Sequence, residues 1–417
     1  MINKSKTIFT NRYIRNIGWL GASELFNRIF RLGTTVTLAR VFSQEEYGSM
    51  AIIYSTFEIA SVLTFKHGIS AKIIQTEEKY LTTIANTSYW LNWFLCLGIF
   101  AFQCVLSWPI AYFNHDMGLI WPLCVSALIY LFFPLFMVNS ALVERENRLE
   151  VTAMCTAGQS FISNILIVAM ALSGMGIWSI VLAMLLSTPV WVIVTWKYSS
   201  WRPPRRFSLE GWREVISFGK NLLGVELLNK LRMNLDYLIV GGFLGRSALG
   251  MYFFAFNAGS GITTNIVLAL NSALFPHLCE VRQNKNKLKK QYFGSLKSNI
   301  LIIVPIVLLQ SSLAYFYVPI IFGEKWIPAI PILIMICLSV IPRSIAWTAT
   351  ILLNSVDKTH ISLYFDLIFT VVFAGSILIA INWGIYWVAA SVLISHALIL
   401  PIFTVWSIRN VFQPKRA

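Results

Sequence analysis

Four charged residues, Glu226, Lys230, Arg232 and Asp236, are set into the stretch from Val225 to Gly250, which is otherwise mostly apolar. A charge at mid-bilayer costs about 2.5–3.5 kcal/mol on insertion scales, so four of them cannot face lipid. On a helix they fall, with Asn229, inside an arc of roughly 160°, which makes one side wet. Upstream, Glu24, Arg28 and Arg31 stand at i, i+4 and i+7, again on one face. Planar guanidinium forks and lysine point charges both suit phosphate, and a partly desolvated cavity strengthens the attraction. Arg28, Arg31, Lys230, Arg232 and Arg343 therefore form the expected cationic cavity, with an anionic headgroup as its ligand. Glu24, Glu58, Glu226, Asp236 and Asp366 are the carboxylates expected to balance that charge or to couple transport to an ion. The competing reading is structural: Glu24–Arg28, Glu226–Lys230 and Arg232–Asp236 are i, i+4 pairs able to neutralise one another in a packed bundle. Arg31 has no acidic residue at these spacings, which favours the cavity.

Other chemistries find no support in the sequence. The five histidines show no HExxH or paired spacing, so no metal is assigned. A P-loop and a Gly-Xaa-Ser-Xaa-Gly elbow are both absent, so neither nucleotide hydrolysis nor nucleophilic catalysis is expected, and no cofactor is implied. The six cysteines lie in or beside apolar stretches without a CxxC and read as small hydrophobes. A net charge of +15 would raise nucleic acid as a partner for a soluble protein. This chain is 57% hydrophobic and only 12% charged, against about 25% charged in soluble domains, so it reads as polytopic in a membrane with no nucleic-acid partner.

The elements that must hold these residues are membrane helices. Apolar stretches of spanning length fall near 17–41, 48–66, 83–112, 118–143, 150–173, 176–197, 217–243, 249–275, 298–322, 327–353, 360–381 and 384–408. With both termini on the cytoplasmic side, most of the 33 Lys and Arg lie in inner segments, and outer loops hold only Arg40, Arg246 and Lys325. The outer loops are short, and Ser43 with Glu46 fits a capping box opening the second helix. Two inner segments are basic: Trp201 to Arg206, whose prolines stop the sixth helix, and Arg282 to Lys297, which reads as a surface helix with Leu288, Tyr292, Phe293 and Leu296 along its apolar edge. Both suit anionic lipid headgroups. Pro331 and Pro342 are expected to bend the tenth helix.

The chain also repeats. Glu24-Leu25-Phe26-Asn27-Arg28 aligns with Glu226-Leu227-Leu228-Asn229-Lys230, and the same offset sets Gly48 on Gly250 and Ser70-Ala71 on Ser272-Ala273. The expected fold is all-α: about 12 transmembrane helices in two six-helix lobes related by an internal repeat, residues 1–200 and 213–417, joined by a cytoplasmic linker at 201–212.

Several motifs carry a family resemblance. Leu38-Ala39-Arg40 with Phe42 to Gly48, then His67-Gly68-Ile69-Ser70-Ala71, resembles the opening of bacterial Wzx-type polysaccharide flippases, including colanic-acid-exporter-like members. Leu235 to Tyr252, Leu274-Phe275-Pro276, Gly323 to Pro328 and Glu144-Arg145-Glu146 are similar to later motifs of that family. The likeness covers nearly the whole chain. It implies the multidrug/oligosaccharidyl-lipid/polysaccharide exporter superfamily: two lobes in a V, alternating access, and an undecaprenyl-diphosphate-linked oligosaccharide as cargo in the bacterial inner membrane. Polysaccharide polymerase or chain-length proteins are the partners it implies. Gly242 stands at the repeat position of Arg40, where a basic residue is expected, and so departs from the pattern. An ion-coupled multidrug exporter of the same superfamily is the rival reading; it would favour an acidic, aromatic cavity.

Overall fold

The computed structural model describes residues 27–412, apart from Ile29. Among the described residues all regular structure is helical. Ten segments among these residues are long and apolar enough to cross a membrane, from Gln44–Gln75 to Ile385–Phe412. Large apolar side chains lie open along them, among them Val105, Leu301, Val371 and Ile402, each about 70% exposed. A surface this apolar is compatible with lipid and not with water. The protein is a multi-pass helical membrane protein.

One of the ten segments, Leu222–Ser260, holds two helices rather than one. Gly245 has φ +80° and ψ 176°, a conformation open to glycine but costly for side-chain-bearing residues. Beyond it Tyr252 donates to Asp236 at 2.8 Å, and Tyr237 packs on Tyr252 and Phe253. Sixteen residues along a straight helix would be about 24 Å apart, so the chain reverses at Gly245. The first expected span, 17–41, lies partly outside the described residues; its described part, 27, 28 and 30–41, is helical. With that helix and the turn at Gly245, the twelve expected spans fit the described chain.

The chain forms two compact units that meet in sequence at Asn234 and Leu235. The first holds α1 (30–41), α2 (Gln44–Val62), α3 (Lys66–Gln75), α4 (Glu78–Phe113), α5 (Ile120–Ala127), α6 (Phe133–Arg145), α7 (Leu149–Leu172), α8 (Trp178–Ser187), α9 (Pro189–Tyr198) and the start of α10 (Trp212–Ala255). The capping box expected at α2 is formed: Ser43 Oγ accepts from the Glu46 N–H at 3.1 Å, and Glu46 accepts from the Ser43 N–H at 2.8 Å. Pro134 removes a helical N–H, and the turn before α6 tightens to a 3-10 stretch, Leu128–Phe132. Gln103 of α4 crosses to this region, donating to the Leu123 carbonyl at 2.9 Å and accepting from the Tyr130 hydroxyl at 2.9 Å. Such polar pairs hold helices together where apolar burial gives no advantage over lipid.

Helices α3 and α10 cross at two glycines. A Cβ on Gly219 would lie 2.3 Å from the Phe65 ring and 3.0 Å from the Gly68 Cα, so only glycine allows this approach. Lys72 pairs with Glu214 at 3.1 Å on the same two helices. Arg145 fixes the far end of α3: its guanidinium donates to the carbonyls of Ile73, Ile74 and Thr76 and to Glu78. The Glu144-Arg145-Glu146 motif is thus, through Arg145, a helix C-cap. Arg202 in the linker likewise donates to the Trp196 and Ser199 carbonyls at the end of α9. It therefore fixes the end of α9 as Arg145 fixes the end of α3.

The second unit holds the end of α10, α11 (Gly261–Val281), α12 (Lys285–Ser312), α13 (Ala314–Tyr317), α14 (Ile330–Ser355), α15 (Thr359–Ala380) and α16 (Ile385–Phe412). The lysine-rich segment is no separate surface helix; it continues without a break into the ninth span as α12. Its apolar edge exists, but Leu288 and Tyr292 are buried against the protein, near Phe412. Pro331 sits in the first turn of α14, where proline fits without bending; Pro342 alone lies inside it. A π-turn, Phe256–Ser260, precedes α11, and Gln310 of α12 donates to its Ala258 carbonyl at 2.9 Å while accepting from Thr263. A Cβ on Gly259 in that turn would lie 3.0 Å from the Cys337 sulfur and 3.1 Å from Leu333 of α14.

Candidate functional site

The charges expected to act together fall into two groups, one in each unit. In the first, Lys230 of α10 contacts Glu58 of α2 at 3.0 Å, and Asn234, one turn on, donates to the same carboxylate oxygen at 3.4 Å. Glu226 takes His67 instead, at 2.7 Å. Lys230 thus pairs across helices and not with Glu226, which removes that i, i+4 neutralisation. The Lys230 and Glu58 side chains are 33% and 47% exposed. Charges this open cannot lie against hydrocarbon, so the surface they share is wet. An ion pair of this exposure contributes about 0–1 kcal/mol.

The described part of the first helix is anchored near these residues' unit by Thr34, which donates to Asn164 of α7 at 2.6 Å, and by an edge contact of Phe30 with Phe161. Arg28 is half-buried and Arg31 exposed. Arg232 is half-buried on α10. Glu24 lies outside the described residues.

In the second unit Asp236 is buried and accepts from Tyr252 and from the Tyr237 N–H. Arg343 of α14 is an electrostatic neighbour of both Asp236 and Tyr252; it donates to Thr264 of α11 at 2.9 Å and lies 5.8 Å from the Phe256 ring. The π-turn presents that ring. Arg343 is therefore held by three elements and partly compensated by Asp236. Asp366 is half-buried on α15. His396, buried between Phe369 and Phe373 with Nδ1 on the Val392 carbonyl at 2.7 Å, is a packed histidine.

Sequence reasoning named Lys230, Glu58, Asp236 and Arg343 but missed His67, Asn234, Tyr252 and Thr264. His67 lies in one of the motifs quoted for the family, which is the signal that pointed to it. Tyr252 closes the quoted motif that starts at Leu235, but only the reversal at Gly245 brings it to Asp236; Thr264 is an ordinary helix residue in sequence. Among the described residues no three His, Cys, Asp or Glu side chains converge to hold a metal.

An all-helical, two-unit chain of this kind has the fold of a membrane transporter. It is similar to lipid II flippase MurJ in an inward closed conformation, with a TM-score of 0.80 over 94% of this chain and 88% of that one, at 13% identity. An inward-facing multidrug resistance transporter of the MATE family overlays with a TM-score of 0.76 over 94% and 96%, at 15% identity. Residues 37–331 match the family described as polysaccharide biosynthesis protein, and the chain belongs to that family. Its relatives include the succinoglycan biosynthesis transport protein ExoT of Rhizobium meliloti, 25% identical over 80% of this chain and 67% of that protein. The lipopolysaccharide biosynthesis protein WzxC of Escherichia coli is 24% identical over 82% of this chain and 70% of that protein.

Proposed function

We propose that this protein is a flippase that moves an undecaprenyl-diphosphate-linked oligosaccharide across the bacterial inner membrane by alternating access, for assembly of a surface polysaccharide. Membership of the polysaccharide biosynthesis family over residues 37–331 carries the reading. Relatives named for succinoglycan transport and lipopolysaccharide biosynthesis support it, since they share a class of product rather than one sugar. The cargo is amphipathic, with an anionic diphosphate between lipid and sugar.

In this reading Arg28, Arg31, Lys230 and Arg232 take the diphosphate, with Arg343 as a further anion contact. Guanidinium groups give two-pronged contacts, and Lys230 becomes available as the phosphate displaces Glu58. The carboxylates Glu24, Glu58, Glu226, Asp236 and Asp366 balance charge when the cations are empty, and one of them couples the cycle to an ion. No bond is made or broken in the cargo, so no catalytic residue is needed. The termini are cytoplasmic, the basic segments meet anionic headgroups there, and a polymerase or chain-length protein receives the product on the far side. The MATE likeness shows a fold shared with multidrug exporters; a cationic drug, however, would be repelled by the same residues.

The reading is tested by export in a flippase-deficient host carrying Arg31 variants at matched membrane abundance. Arg31→Lys keeps charge but loses the planar contact, so export falls partly; Arg31→Gln falls further. Normal export by Arg31→Gln would sink the cationic grip. Export of a cationic drug by the native chain, with no polysaccharide at the surface, would favour the multidrug exporter.

A further inference from the structure

The second unit contains a cavity of about 710 Å³ that none of the charges above enters. It lies among α11, α12 and α14, at the lysine-bearing end of α12. Asn271 of α11 and Asn299 of α12 line it and are 4% and 3% exposed. Both the amide nitrogen and the amide oxygen of each have no hydrogen-bond partner, and the Gln291 carbonyl oxygen, also in the lining, has none. A buried polar group left unpaired is destabilising, and four such atoms on two side chains are not what a wall that leucine could make requires. Lys287 and Lys290 stand at the rim, and no carboxylate lines the space. Leu270 and Leu274 supply an apolar wall.

We propose that this cavity binds a phosphate that carries neighbouring hydroxyls. An amide offers donor and acceptor together, which is what a hydroxyl requires; the Ser298 and Thr348 hydroxyls, which donate to the Gly294 and Ile345 carbonyls, add acceptors to the lining. The two lysines and the missing carboxylates select an anion over a cation. The apolar wall accepts the C–H face of a sugar or a glycerol. The volume falls within the range of small-molecule sites. Two sources present this chemistry, a glycosyl phosphate and a phosphatidylglycerol headgroup. The site goes beyond the transport proposal and stands without it.

Calorimetric titration of glucose 1-phosphate into the purified full chain, in nanodiscs of phosphatidylcholine, tests it. Saturable binding is expected, at least tenfold tighter than for glucose or inorganic phosphate alone. Asn271→Leu with Asn299→Leu should weaken it at least tenfold, while Lys287→Gln with Lys290→Gln should remove the preference over glucose. Gly294 lines the cavity, and a Cβ there meets nothing within 4 Å, so Gly294→Leu fills the space without disturbing the helix and should abolish binding. Repeating the titration with phosphatidylglycerol in the discs separates the sources: competition assigns the headgroup, and an unchanged curve assigns the glycosyl phosphate. Absence of saturable binding to the native chain, or equal binding by Gly294→Leu, overturns the proposal. Because the readout is binding and not export, that failure leaves the flippase reading untouched.

Discussion

At the scale of single residues, the hydrogen-bond partner separates charges committed to backbone carbonyls from charges paired only with another side chain. Arg145 is committed to three backbone carbonyls at the end of α3 and to Glu78. Arg145→Ala should cost about 2 kcal/mol and lower abundance, because three acceptors lose a charged donor, while Arg145→Lys recovers part of the loss. Thermal unfolding in detergent measures both, and an unchanged Tm would show that water replaces the guanidinium. Lys230 and Glu58 belong to the other class, since their open pair is weak. Lys230→Gln should leave stability within about 0.5 kcal/mol and reduce export severalfold at normal abundance. Loss of protein rather than of export would make the pair structural. The candidates were legible here because charge inside an apolar helix is rare enough to stand out. Their partners were not: Glu58 and Lys230 are brought together by the packing of α2 on α10, and no spacing in the chain encodes that.

At the scale of elements, glycines and polar side chains set how the helices approach. The α3–α10 crossing rests on Gly68 and Gly219. Gly219→Ala should destabilise the first unit by about 1–3 kcal/mol, the usual cost of overpacking. Adding Phe65→Leu should recover only part, because the Gly68 backbone stays within 3.0 Å of the new methyl. Full recovery in the double variant would mean that the ring alone imposes the glycine. In the second unit, Gln310→Leu strands the Ala258 carbonyl of the π-turn, with a loss of about 1–3 kcal/mol seen as a lower Tm. A neutral result would show that the freed carbonyl has another donor. The capping box at Ser43 was readable from four residues because cap chemistry is local. Residues Arg282 to Lys297 misled for the converse reason: a basic, amphipathic segment looks the same whether it lies on a membrane or leads into a span, and only the buried positions of Leu288 and Tyr292 decide.

At the scale of the whole molecule, the twelve spans expected from hydropathy and charge bias fit the described chain, and the reversal at Gly245 shows why counting long helices alone falls short. Orientation remains a prediction of the basic segments: a cysteine at Gly323 should react with an impermeant reagent from the outer side and one at Lys287 only from the inner side, and inner-side labelling at 323 would contradict the arrangement. On the proposed reading, the cations carried on these apolar helices meet an anion that has a lipid tail. Flipping of a fluorescent undecaprenyl-diphosphate oligosaccharide by the purified chain in proteoliposomes tests this most directly. The account predicts that the labelled sugar reaches the opposite leaflet in protein-containing vesicles and that Arg31→Gln slows it strongly. Equal accessibility of the sugar in vesicles with and without the protein would contradict it.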